Sequence, residues 1–315
     1  NNKDSKRRKE LKDLEKVRKI CNDNNIEFHY VNLQEEFYKD VILPFADFYL
    51  KGLTPNICSY CNAEFKIEKL LQYAEKFSCN YIATGHYARK NDSLIGIAKD
   101  SWKDQSFMLY RLSEKQREKL LLPLGQKMKD EVKDFVRQCG YEEIANKRES
   151  FGLCFTNGKH YSEFLLEKYP ELKKLENGKV FNKNNQEIGT HKGYPFYTIG
   201  QYKGLNCEGK QYINKIIAEE NAIFVGEKSE CYFSTLRLNS LVFSQNIENI
   251  KLNTQYLTKI RGKDEGNFAT LREISSNHSI IEFSQRVFAP MQGQDVVVYD
   301  ENNFILFGGR IEAFS

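Results

Sequence analysis

The sequence predicts an α/β fold with a doubly wound parallel sheet, then a small central domain, then a C-terminal β-barrel. Three observations carry this. Helical and strand periods alternate through the early part of the chain. Glycines thicken through GTHKGYPFYTIGQYKG (189–204). Beyond residue 220 only period-two runs remain: YFSTLRL, SIIEFS, DVVVYD and FILFGGRIEAF. The boundaries expected from these changes are 1–160, 161–226 and 227–315.

In chain order, Leu11, Leu14, Val17, Ile20 and Cys21 recur at helical spacing, and Asn24-Asn25 interrupts them. IEFHYV (26–31) alternates as a strand does. TPNICSYCNAEFK (54–66) sets Cys58 and Cys61 three apart in a polar turn. A helix follows, with Ile67, Leu70, Leu71, Ala74 and Phe77 on one face. YIATGH (81–86) is a short apolar strand running into Gly85, and in parallel sheets ligands sit at such carboxyl ends. A glycine there admits a ligand close to the backbone, or simply serves the turn. Ser113-x-x-Gln116 has the form of a capping box. A further helix carries Met128, Val132, Phe135, Val136 and Cys139, with Gly140 as its stop. Cys21 and Cys139, on apolar helical faces, are expected in the core. DENN (300–303) between the last two runs is a hairpin turn.

With 315 residues and 40% hydrophobic content the chain can build more than one real core. No apolar run reaches the length of a membrane span, and NNKDSKRRKE is unlike a signal peptide. A net charge of +4 is too small to identify a nucleic-acid partner by itself, and runs such as Lys6-Arg7-Arg8-Lys9 and Lys147-Arg148 read as solvated faces. Eight irregularly spaced cysteines do not form a secreted disulfide framework, so a reducing cytoplasm is expected.

Cys58, Cys61 and Cys154 lie among turn-formers, Cys154 within ESFGLCFTNGK (149–159). A structural zinc site calls for four ligands, usually two close pairs; one CxxC with Cys154 and His86 or His160 is an incomplete version of it. A thioredoxin-type pair opens a helix after a strand with small residues or proline between the thiols, and Ser59-Tyr60 fits that poorly. The third reading pairs thiols from two distant loops, one carrying sulfur as a persulfide and the other discharging it by disulfide exchange.

TPNxCxxCN followed by an amphipathic helix, ATGHYAR, KDQSFMLYRL, PLGQ, SFGLCF and GTHKGYPFYTIGQYKGL occur in this order. The series resembles the tRNA-specific 2-thiouridylases, from about residue 11 to the end of the chain. The resemblance implies an ATP-pyrophosphatase type of catalytic domain. It also implies ATP-dependent 2-thiolation of the wobble uridine (position 34) of tRNA: the C2 oxygen is adenylated, and a cysteine persulfide delivers sulfur to C2 as AMP leaves. Cys154 matches the persulfide carrier and Cys61 the second, nucleophilic cysteine, with a Cys61–Cys154 disulfide forming on oxidation. Cys58, where many relatives carry Asp, is at most an auxiliary. Gly85 matches an ATP contact and His86 a tRNA contact. Asn56, Ile57 and Cys58 match the stretch facing the target base. Lys103, Asp104 and Gln105 match a tRNA-contacting loop, and Arg261 and Gln294 match further tRNA contacts.

ATP with Mg²⁺ is the implied cofactor, with no metal cluster. The implied partners are tRNA and a sulfur-donor protein, either a cysteine desulfurase or a relay protein, with no membrane. Departures from the family pattern are Glu149 for Asp, Asn157 for Gly, Tyr202 for Arg and Gly262 for Tyr. The family's phosphate loop, of Ser-Gly-Gly-Val-Asp-Ser-Ser type, belongs upstream of residue 11 and is not in this sequence. The expectation is a chain starting downstream of that loop, with a catalytically inactive tRNA-binding relative as the alternative. On either, residues 1–315 alone bind tRNA without adenylating or thiolating it.

Overall fold

The computed structural model describes residues 2–147, 152–156 and 158–315, the first nine of these by backbone only. Arg148, Glu149 and Asn157 lie outside the described residues. The chain forms two units, 1–38 and 39–315.

The first unit is helix α1 (Asn2–Asp23), an irregular stretch, and the single turn α2 (Gln34–Phe37). Asn25, at φ 55°, ends α1, as the Asn24-Asn25 pair predicts. Residues 26–33 are not a strand. Their alternation is real, but a strand also needs a ladder partner, and the described residues of this unit offer none. Arg18 instead stacks over the Phe28 ring at 5.4 Å.

The second unit opens with a π-helical stretch (Tyr38–Ile42, whose first residue belongs to the first unit), then helix α3 (Leu43–Leu50), which buries Phe45, Ala46 and Tyr49. A longer helix follows in three parts: α4 (Ile57–Tyr60), a π-helical segment (Cys61–Ile67) and α5 (Glu68–Lys76). Strands β1 (Ile82–Ala83) and β4 (Leu120–Leu121) pair in parallel and represent the wound sheet among the described residues. Between them lies the hairpin β2 (Arg89–Asn91) and β3 (Leu94–Gly96). Helix α6 (Glu114–Lys119) starts on the expected box: Ser113 Oγ accepts from Gln116 N, and Gln116 Oε1 accepts from Ser113 N at 3.0 Å. Helix α7 (Lys129–Gln138) ends at Gly140, φ 82°, and turns into α8 (Glu142–Ala145).

Cys139 is exposed and Cys21 half-buried, so neither is core. No residue of α7 is buried: its apolar stripe lies on the surface, with Phe135 65% exposed. Helix α9 (Tyr161–Lys168) leads into a five-stranded sheet, β5 (Gly178–Phe181), β6 (Glu187–His191), β7 (Asn206–Cys207), β8 (Tyr212–Ile217) and β9 (Ala222–Gly226). Its order is β7-β6-β5-β9-β8, with β5 and β9 parallel.

The last part is a closed six-stranded barrel of order β10-β13-β12-β11-β14-β15. Its strands are β10 (Tyr232–Phe243), β11 (Gln255–Lys259), β12 (Asn267–Ile274), β13 (His278–Phe288), β14 (Asp295–Tyr299) and β15 (Ile305–Phe314). Closure removes exposed sheet edges. The DENN turn joins β14 to β15, with Asp300 Oδ1 accepting from the N–H groups of Asn302 and Phe304.

One apolar core runs from the helical layer into this barrel: Ile67, Leu109, Leu112 and Leu120 pack with Val297, Tyr299 and Ile305. Each such side chain contributes about 1.5–3 kcal/mol by leaving water. β15 passes so close to Tyr110 that a Cβ on Gly308 would lie 2.3 Å from its ring. Among the described residues no helix is long and apolar enough to cross a membrane.

Candidate active site

Pro55 and Asn56 make the turn, and the helix begins at Ile57, about ten residues, or nearly three turns, before Ile67, the first residue of the predicted apolar face. The CxxC is therefore helical, not a loop. Ile57 and Ser59 are buried, and their burial draws the segment into the helix. Ser59 Oγ donates to the buried carboxylate of Asp295 at the start of β14. With Ser59 turned inward, Cys58 faces out and is exposed, while Cys61 is half-buried.

Cys154 reaches the same place from its own segment. Gly152 takes φ 95°, and Thr156, whose N and Oγ1 both donate to Leu153 O, closes a tight turn around the cysteine. The adjacent Phe155 ring packs edge-on against Phe45 of α3 and Phe164 of α9, each at 5.1 Å between centroids. Cys154 itself is exposed.

The three sulfurs feel one another. Burial raises the Cys61 thiol to about 11; the Lys66 ammonium opposes this, and Cys154 and Cys58 add to it. Cys58, though solvent-reachable, is crowded by surrounding protein that partly desolvates it and raises its thiol, with Cys154 reinforcing and Lys66 opposing. All eight cysteines are free thiols, so the Cys61–Cys154 disulfide is not formed here.

Strand β1 delivers Thr84, Gly85 and His86 to the same side. Thr84 Oγ1 and His86 Nδ1 are hydrogen-bonded at 2.9 Å. Burial, helped by Lys66, lowers His86 to about 4, so its imidazole is neutral at neutral pH. Gly85 is exposed, without a positive φ, and a Cβ there would meet only Leu124 Cδ1 at 3.8 Å. Nothing among the described residues requires glycine at this position, and the backbone is open to close approach.

The target-base stretch joins this group through Asn56, whose Nδ2 is buried without a partner. It lines a small cavity with Arg111, Asp295 and Arg310. Burial lifts the Asp295 carboxyl above its usual range, with Ser59, Arg111 and Tyr110 holding it back.

The remaining expected contacts divide. Asp104 keeps its side chain inside: it is 1% exposed, ion-paired with Lys259 at 2.9 Å, and it accepts from the N–H groups of Ala98 and Ser106. Gln105 Oε1 accepts from Tyr87 N at 3.0 Å. Both hold the loop in place, because a desolvated carboxylate and amide must find internal partners. Arg261 likewise donates to the carbonyls of Phe288 and Ala289. Lys103 and Gln294 are half-buried.

The sequence reading passed over two residues here. Trp102, beside Lys103, is 86% exposed, and its place next to the KDQ motif was the available signal. Lys66 influences both helical thiols and His86, and no motif marks it. At the departures, Gly262 faces Met108 Cε, which a Cβ would approach to 2.4 Å. Tyr202 is exposed beneath the Lys210 ammonium, 4.6 Å from its ring.

A family model described as "tRNA methyl transferase HUP domain" matches residues 1–158, and one described as "tRNA methyl transferase PRC-barrel domain" matches residues 162–227. The chain is 35% identical over 309 residues to a tRNA-specific 2-thiouridylase MnmA 1 of Clostridium tetani, covering 95% of this chain and 83% of that protein. It is 34% identical over 306 residues to a tRNA-specific 2-thiouridylase MnmA of Natranaerobius thermophilus, covering 94% and 81%. A protein of the same name in Cytophaga hutchinsonii is 34% identical over 294 residues, covering 90% and 79%. The model descriptions and the relatives' names differ in the group transferred.

Proposed function

The chain belongs to the tRNA-specific 2-thiouridylase family, and from that premise we propose that it thiolates the wobble uridine (position 34) of tRNA at C2, with sulfur passing through its own cysteines. The convergence of Cys61 and Cys154 from distant segments carries this reading. It also favours sulfur over a methyl group as the cargo.

ATP, as co-substrate with Mg²⁺, supplies the adenylyl group that makes C2 electrophilic, and Gly85 is the residue that would lie against it. Exposed Cys154 accepts a sulfane sulfur from a donor protein, a cysteine desulfurase or a relay protein. Its terminal sulfur then bonds to C2 as the C2 oxygen leaves with AMP. The Cys61 thiolate, having lost its proton to solvent, attacks Cys154 Sγ. The Cys154 S–S bond breaks, its electron pair stays on the sulfur bound to C2, and a Cys61–Cys154 disulfide results. A dithiol reductant returns both to thiols.

The stretch of Asn56, Ile57 and Cys58 faces the base, with buried Ile57 fixing its backbone, and neutral His86 is a hydrogen-bonding contact to tRNA. Trp102 and Lys103 form the tRNA-facing part of the loop that Asp104 and Gln105 anchor. Arg261 holds the segment after β13, and Gln294 sits on the same barrel end. The three segments 1–160, 161–226 and 227–315 act as catalytic, central and barrel domains, in the cytoplasm.

The test is mass spectrometry of wobble uridine in tRNA from cells carrying the intact gene, Cys61→Ser or Cys154→Ser. Each variant alone reduces 2-thiouridine to the level of cells lacking the gene. Substantial 2-thiouridine in either would end the assignment.

A further inference from the structure

The segment carrying Cys61 is π-helical from Cys61 to Ile67, and this decides where Lys66 lies. On an α-helix, residues five apart sit about 140° from one another around the axis, nearly on opposite faces. In a π-helix the bonding runs from i to i+5 and each turn takes more residues, so residues five apart fall nearer to the same face. Lys66 is five residues after Cys61. The wider turn brings it from the far side of the helix to the thiol side.

Its ammonium is held there. Lys66 Nζ donates to Asn62 Oδ1 at 3.0 Å, and the buried Asn62 gives its Nδ2 to Met108 O at 3.0 Å. The π-helical segment is itself braced: Gln116 Nε2 donates to Ala63 O at 2.8 Å. A long, flexible side chain is thereby given one anchored position.

We propose that Lys66 is a positioning residue for sulfur transfer, the fixed cation against which the attacking thiolate of Cys61 forms. This deepens the reading of Cys61 as the nucleophile and rests on it. The groups facing Cys61 are Lys66 and Cys58 from its own helix and Cys154 from the opposite loop. Lys66 in turn faces Cys58 and His86. Of these, Lys66 is the one that favours an anion at Cys61. Burial and the two neighbouring sulfurs all oppose it, and a neutral His86 contributes no competing charge.

The experiment measures iodoacetamide alkylation of Cys61 against pH, by peptide mass spectrometry, in the full-length protein and in Lys66→Gln and Lys66→Arg. Single-turnover sulfur transfer to tRNA and tRNA affinity are measured in parallel. Lys66→Gln moves the alkylation midpoint upward from that of the parent and slows alkylation at fixed pH by about three- to tenfold, since one unit is a tenfold change in thiolate fraction. Transfer slows by the same factor, and Lys66→Arg restores both. An unshifted alkylation profile in Lys66→Gln, with or without weaker tRNA binding, overturns the proposal and leaves Lys66 a surface or phosphate contact. A shifted profile with unchanged transfer overturns a different claim, that Cys61 is the nucleophile, and removes Lys66 from the reaction with it.

Discussion

Two short segments of the same unit, 57–66 and 101–105, both carry family motifs and are built in opposite ways. In the first, the chemistry-bearing side chains stay within reach of solvent: Cys58 is exposed, Cys61 half-buried, and Lys66 is tied by one hydrogen bond to Asn62. The second turns its charged motif residue inward, placing the Asp104 carboxylate among Lys259, Ser106 and Ala98. The only large group this loop offers outward is Trp102. Identity within a motif therefore says that a residue matters, while burial says whether it acts on a partner or on the fold.

The sharpest way to break this comparison is at Asp104. Asp104→Asn leaves the Lys259 ammonium, 5% exposed, without its counter-charge. Loss of one member of a buried pair removes about 3–5 kcal/mol of folding stability. Urea unfolding measures it; a stability within error of the parent, with weakened tRNA binding, would make Asp104 a contact after all.

Trp102→Ala gives the converse. With the side chain 86% exposed, the folding midpoint stays put, while affinity for tRNA falls by about 1–3 kcal/mol if a base stacks on the indole. Fluorescence quenching of this indole, the sole Trp in the chain, follows binding directly.

His86 has an effect confined to acid pH, which vanishes at neutrality. Its pKa drops from 6.5 to about 4 in the folded protein. Between those values the unfolded chain binds more protons, so stability declines as pH falls through that window and is unaffected above it. In His86→Asn the decline over this window is shallower; an identical slope would show that His86 is not desolvated.

Much of the architecture was legible because its signals are local. The Ser113/Gln116 box, the Gly140 stop and the DENN turn each depend on a few neighbouring residues, and the barrel strands on plain alternation. What escaped depends on distant partners. IEFHYV has a strand's pattern and no strand beside it. The inward turn of Asp104 follows from Lys259, 155 positions away. Nothing in CNAEFKI announces a π-helix, whose Ala63 carbonyl is taken by a side chain 53 positions on. The cysteines were found by motif, but their electrostatic setting was not, since Lys66 reads as one more solvated lysine.

The bond from Ser59 to Asp295 has a consequence for how such proteins change and can be recombined. It ties the helix of the CxxC to the first residue of a barrel strand, with Tyr110 and Arg111 completing the arrangement around the same carboxylate. The barrel is thus no interchangeable module. A chimera that takes its barrel from a relative inherits whatever stands at the position of Asp295, and a mismatch there tilts the cysteine helix from beneath. Positions 59, 110, 111 and 295 form a unit of inheritance. Grafts that move all four together should keep their thiols aligned, and grafts that split them should not.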